Sequence, residues 1–339
     1  MPLDRREFLT AGIAAFGAAT VIPHAWSWAQ GAPRPFRIDT HTHFSTPKLF
    51  DLATSRGVNQ ATLKDWTPEK MLKQMEEGSV ATSILSVSDP GVHAGNDQAA
   101  RALAREANEY AARVVRDYPG RFGFFAVLPL PDVEGSLKEA AYALDTLKAD
   151  GIGVLSSYEG KYLGNPAFAP LMDELNRRNA VVYCHPYCAA CGAQPALTDA
   201  QNRGVEFVFD TTRTILSLLQ TATVERCPNI SFIWSHGGGT VPFITSRLQG
   251  AGQKLSKGVM YELQRFYYDT AQAFNPYTLP SFKKMVPVSQ ILFGTDYPLG
   301  GGSAAIVSKG LLDNGGFTPA ERRSIDRENA LRLLPRLRA

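Results

Sequence analysis

Residues 37–44 read RIDTHTHF and place two imidazoles one residue apart at the end of an apolar run. In a strand, residues i and i+2 project to the same side, so His41 and His43 point together. Zinc and similar ions accept imidazole nitrogens at about 2.0–2.1 Å, so the pair supplies half of a four-ligand site. Two further groups end apolar runs in the same way. His185 closes AVVYCHP, where Pro186 turns the chain, and Asp296 lies in FGTDYP. A carboxylate at that place completes a ligand set or handles a proton; its plainer reading is the N-cap of the next helix. His236 closes ISFIWSHGG, and His93 follows the run SILSVSDP.

The elements that must hold these groups repeat with one rhythm. Short β-rich runs are predicted at 36–43, 80–88, 122–129, 151–157, 180–186, 230–238, 266–271 and 291–298. Helical patterns separate them. The clearest, over 96–118, is alanine-rich, with Asn96 as N-cap and Pro119-Gly120 as its stop. Strands alternating with helices predict a parallel sheet. No glycine-rich phosphate loop follows any strand, which disfavours an open nucleotide-binding sheet. The expected fold is one closed α/β barrel, a (β/α)8 TIM barrel over residues 36–335. All five histidines beyond His24 then gather at its C-terminal face, where this fold carries its active sites.

Bulk properties agree with one large domain. The chain has 339 residues, 44% of them hydrophobic, and a net charge of +3. No basic stripe suggests a nucleic-acid partner. The four cysteines are too few for a disulfide scaffold. Cys184, Cys188 and Cys191 resemble a zinc knuckle, but the remaining Cys227 precedes the sixth strand, at the opposite face. Cys188 and Cys191 are left as a disulfide or as free thiols. The N-terminal stretch DRREFLTAGIAAFGAATVIPHAWSWAQ carries adjacent Arg5 and Arg6 before a weakly apolar segment. It resembles a twin-arginine export signal over residues 1–29. A spanning helix needs about 20 apolar residues, and Pro23, His24 and the glycines cut this one short. The expected location is the periplasm or the exterior, without a membrane anchor after signal removal.

HxH on strand one, histidines at strands five and six, and Asp on strand eight resemble the amidohydrolase superfamily. WSHGGGTVPF and LFGTDYP look like its aminocarboxymuconate-semialdehyde decarboxylase branch. SVSDPGVHAGND, YPGRFGFFAVLPLPD, YLGNPAFAPLMDELNRR and FDTTR are similar to 6-methylsalicylate decarboxylase-type proteins. The resemblance implies that His41, His43, His185 and Asp296 hold one divalent metal, with zinc the expected ion. It implies that His236 is an acid/base group beside the metal rather than a ligand. Binuclear members add a carboxylated lysine on strand four; GIGVLSS has none, and Lys161 falls past the strand end, so one ion is expected. The implied reaction is loss of CO2 from an aromatic, hydroxybenzoate-like acid, with His236 or Asp296 delivering the proton. A metal-dependent hydrolase of a lactone or amide is the rival, and CO2 release separates the two.

Other residues carry two readings each. His93 either touches substrate or caps its loop. Arg213, in DTTR, either holds a carboxylate or lies on a solvated helix face. Tyr297 either walls the pocket or packs. Arg247 lies eleven residues beyond His236, on a helix expected to start at the rim with Thr240 as N-cap and Pro242 in its first turn, and to run away from the mouth. In the resembled family the arginine at this spacing crosses to a neighbouring subunit and binds the substrate carboxylate. A homodimer with Arg247 supplied in trans is therefore expected; the plain alternative is a surface arginine paired with a nearby acid.

Overall fold

The computed structural model describes residues 36–58, 60–187, 199–300 and 303–338. The export-signal reading and the Cys188/Cys191 reading lie outside the described residues. Eight parallel strands follow one another in sequence order: β1 (Arg37–His43), β2 (Val80–Ser86), β3 (Phe122–Val127), β4 (Gly151–Leu155), β5 (Val181–His185), β6 (Ser231–Trp234), β7 (Tyr267–Asp269) and β8 (Ile291–Leu292). The run after β8 returns to β1. Thr40 N donates to Phe293 O at 2.9 Å, Asp296 N to His41 O at 2.9 Å, and His43 N to Tyr297 O at 2.8 Å. These bonds close the barrel and place Asp296 beside the first strand.

One main helix follows each strand: α1 (Pro68–Glu77), α2 (Asp97–Asp117), α3 (Val133–Asp145), α4 (Ala169–Arg177), α5 (Asp199–Gln220), α6 (Val241–Ile244), α7 (Leu279–Met285) and α8 (Ala304–Gly315). The α2 helix starts as its sequence dictates, with Asn96 Oδ1 accepting from Ala99 N at 2.9 Å. The α6 helix departs from expectation. Thr240 does not cap it through its side chain; its hydroxyl meets Thr212 Oγ1 at 2.8 Å instead. After four residues α6 tightens into a 3-10 helix over Thr245–Gly252. Among the described residues, no helix is long and apolar enough to cross a membrane.

Ile38, Ile84, Phe125, Tyr183, Ile233 and Leu292 fill the barrel interior, and Leu334 packs against them. Tyr183 stacks on Phe125 with ring centroids 5.2 Å apart and meets the His41 ring at 5.4 Å. It forms the floor of the site above. Ile38 and His41 are three residues apart, yet both project inward. The β1–β2 register shifts between Asp39 and Thr42 and absorbs that change of parity. A bulge re-aims side chains in this way.

Candidate metal centre

His41 and His43 leave the end of β1 with their Nε2 atoms 3.1 Å apart. Asp296 Oδ1 lies 3.2 Å from His41 Nε2 and 3.0 Å from His43 Nε2. Its other oxygen, Oδ2, meets His236 Nε2 at 3.2 Å and accepts from Gln272 Nε2 at 3.1 Å. The His185 ring stands 4.7 Å from that of His43 and 5.6 Å from that of His236. Ligand atoms of His41, His185, His236 and Asp296 all fall within 4.8 Å of one another. The structure thus brings together every residue proposed from the sequence for the metal and its acid/base partner. Distance alone does not set His236 apart from the ligands.

A buried carboxylate orients this cluster, and sequence reasoning passed over it. Asp269, the last residue of β7, accepts from the His41 ring at Nδ1 (2.7 Å) through Oδ2. Its Oδ1 accepts from the backbone N–H of His236 (2.9 Å) and Ala271 (3.0 Å). One side chain thereby fixes the His41 ring and the backbone of His236. Outer carboxylates of this kind set the tautomer and raise the basicity of a metal-bound imidazole. The signal was present, since FYYDTA ends a strand at the same rim as the histidines. Ser86 Oγ stands 3.1 Å from His43 Nδ1, and Pro186 O takes His185 Nδ1–H at 2.9 Å. Each proposed histidine ligand thus has its second nitrogen occupied, and its metal-facing nitrogen is defined. His236 Nδ1 differs: it is buried without a hydrogen-bond partner among the described residues.

Electrostatics suit a cation. Burial alone would lower His41, yet the carboxylates of Asp269 and Asp296 push it up to about 10. Burial lowers His43, and burial with neighbouring imidazoles drives His185 well down. Burial works to raise Asp296, but the His41 charge and hydrogen bonds from His236, His41 and His43 hold it well below the usual carboxylate range. Neutral imidazoles and an ionised carboxylate are the forms that bind divalent metal, and the two carboxylates that favour a proton on His41 favour a metal cation in its place. The donor set fits such an ion.

Three of the eight non-glycine residues with positive φ among the described residues lie here. His236, Gln272 and Asp296 have φ of 53°, 55° and 64°, a region costly for residues with a Cβ. His236 opens a left-handed run that continues through Gly237, Gly238 and Gly239 (φ 63°, 80° and 68°). A Cβ on Gly238 would come within 2.7 Å of the Tyr268 ring, and one on Gly239 would strike the carbonyl oxygen of Val208 on α5. Strand six therefore stops at Trp234, earlier than predicted, and His236 rides on the turn beyond it.

Above the cluster lies a cavity of about 330 Å³ with His185, His236 and Asp296 in its lining. Val58, Phe207, Val208 and Leu299 supply apolar walls; Asp89 and Arg203 supply charge. The Phe207 ring meets His185 edge-on at 5.7 Å. The other sequence candidates lie elsewhere. His93 lines a neighbouring cavity of about 370 Å³ and pairs with Asp97 at 2.9 Å, while its Nδ1 accepts from Gly95 N at 3.3 Å. It caps its loop. Arg213 turns to Glu206 at 3.1 Å and does not line the metal cavity. Arg247 is exposed on the 3-10 continuation of α6. Tyr297 lies outside the metal cavity's lining, and Lys161 sits on a two-residue hairpin strand past β4. Cys184 and Cys227 are buried free thiols.

Imidazoles and a carboxylate at the C-terminal mouth of an eight-stranded parallel barrel define a metal-dependent (β/α)8 enzyme. The chain belongs to the Amidohydrolase family, whose pattern it matches over residues 38–336. It is 34% identical over 321 residues to the 6-methylsalicylic acid decarboxylase of Penicillium expansum, a match spanning 89% of this chain and 97% of that protein. Among solved structures, one described as amidohydrolase II superposes with a TM-score of 0.79 at 29% identity, over 88% of this chain and 99% of the other. A dihydroxybenzoic acid decarboxylase from Polaromonas sp. JS666, with bound manganese and 2-nitroresorcinol, shares the fold with a TM-score of 0.74 at 23% identity, covering 90% and 98% of the two chains.

Proposed function

We propose that this chain is a metal-dependent, non-oxidative decarboxylase of a hydroxybenzoate-like aromatic acid. The observation that carries the reading is the buried His/Asp cluster opening into a largely apolar cavity of about 330 Å³. The resemblance in sequence to an aromatic-acid decarboxylase supports it. A divalent ion held by His41, His43, His185 and Asp296 would supply Lewis acidity and a template for the substrate oxygens. Phe207, Val208 and Leu299 enclose the ring and exclude water. His236 Nε2, hydrogen-bonded to Asp296 Oδ2, delivers a proton to the ring carbon that bears the carboxylate. The C–C bond then breaks, its electron pair restores the ring, and CO2 leaves with no net redox change. A panel of hydroxybenzoates and pyrones, followed for CO2 and ring product together, tests this. One CO2 per phenolic product is expected; lactone opening without CO2 would overturn it.

Zinc is our assignment for the ion, since a nitrogen-rich set with one carboxylate suits it. The acting unit is proposed to be a homodimer in which Arg247 reaches the neighbouring copy's substrate. Arg247 has no carboxylate partner among the described residues, and Phe243, one turn earlier, is 84% exposed. Mixing Arg247→Ala with His236→Ala protein is expected to restore activity above either variant alone, because one site per heterodimer regains both groups. No recovery after verified subunit exchange would rule out action in trans. Export through the twin-arginine route is proposed from Arg5 and Arg6. An Arg5→Lys/Arg6→Lys precursor should stay in the cytoplasm on fractionation; normal export of that variant would refute the route.

A further inference from the structure

Sequence reasoning singled out Arg213 and Arg247, but the guanidinium that lines the metal cavity belongs to Arg203, near the start of α5. Arg203 Nη1 is bonded to Asp89 Oδ2, from the loop after β2; the two side chains are 20% and 4% exposed. Gln60 Nε2 fixes that loop by donating to Ser88 Oγ at 2.9 Å and to the Asp89 carbonyl. The Arg203 guanidinium also stands 5.6 Å from the centre of the Phe207 ring. A guanidinium has five N–H donors in a planar fork, and Asp89 engages one of its nitrogens. Burial works to raise Asp89 despite its partner, so the carboxylate is costly to keep charged without one.

We propose that Arg203 is this chain's own reader of the substrate carboxylate, and that Asp89 occupies its guanidinium between turnovers. The proposal rests on the decarboxylase reading above. Decarboxylation turns an anion into neutral CO2. A counter-ion that binds the anion more tightly than the departing CO2 stabilises the ground state and slows the bond-breaking step. Asp89 offsets this, because it takes the guanidinium back as charge leaves the carboxyl group. Arg203 therefore contributes to acid binding and little to the chemical step.

The test compares an acid substrate with its own phenolic product, which has the same ring and no carboxylate. In Arg203→Gln, KM for the acid is expected to rise about 10- to 100-fold, the scale of a charge-assisted hydrogen bond. The inhibition constant of the phenol and the metal content should stay put, and kcat should change by only a few-fold. Arg203→Lys should recover part of the loss. Asp89→Asn is expected to act in the opposite sense, lowering KM for the acid and lowering kcat. A purely structural latch makes the two variants alike: both would weaken acid and phenol equally, and that result overturns the proposal. Failure of the decarboxylase reading shows separately, as no CO2 from wild-type protein. Calorimetric binding of acid and phenol to the same metal-loaded variants then still decides the role of Arg203.

Discussion

Replacing His236 by alanine is expected to cut turnover by about 10²–10⁴-fold, the usual contribution of a positioned acid/base group, while the protein keeps its metal. Two observations set His236 apart from the other imidazoles. Its Nδ1 is buried with no partner among the described residues, whereas His41, His43 and His185 each have the second nitrogen engaged. It also rides on a left-handed turn beyond its strand rather than within one. With no group fixing Nδ1, the ring is not held in one tautomer, which suits a group that gains and loses a proton at Nε2. The variant leaves three imidazoles and Asp296 to hold the ion. Elemental analysis beside steady-state rates decides the matter: a metal-free His236→Ala protein would make His236 a ligand, as its place in the 4.8 Å cluster allows.

The double variant His41→Ala/His43→Ala is expected to lose both the metal and all measurable CO2 release. Wild-type protein purified without added metal should carry about one equivalent of zinc, as a single catalytic site requires. The double variant should carry none. It also removes both partners of Asp296 Oδ1, leaving a buried carboxylate that faces only His236 and Gln272 through its other oxygen. An ion bound only by the folded state at about 100 times its Kd adds about 2.7 kcal/mol, so chelation should lower the melting temperature of the wild type and leave that of the variant unchanged. Two equivalents in the wild type, metal retained by the variant, or manganese in place of zinc would each correct the assignment.

The sequence carried the metal site further than it carried the substrate site, for a physical reason. Strand ends of a barrel converge whatever the loops do, so His41, His43, His185 and Asp296 could be placed by counting strands. Even there, the parity of β1 rests on a register shift that no alternation rule marks. Asp269 obeyed the same rule and was overlooked because one acid at a strand end resembles any helix cap. Arg203 carried no such mark. Its position depends on how α5 leaves the rim, and a helix path is set by packing rather than by local pattern. Arg213 lies ten residues further along that helix, far enough to turn it to Glu206 instead. The Thr240 expectation failed because the Thr212 hydroxyl, a tertiary partner invisible in the local sequence, took the place of the helix N–H.

Gly239 leaves no room between its backbone and the Val208 carbonyl. The loop bearing His236, the proposed proton donor, is thus keyed to the helix that walls the cavity. Divergence toward new substrates must then proceed by exchanging side chains such as Phe207 on a stationary helix. The Thr212–Thr240 hydrogen bonds tie the two segments, so tilting that helix to enlarge the cavity would strain the turn that carries His236. What the enzyme accepts and how it protonates can be retuned separately only while position 239 stays a glycine. A directed-evolution library that holds it fixed explores specificity without forfeiting chemistry.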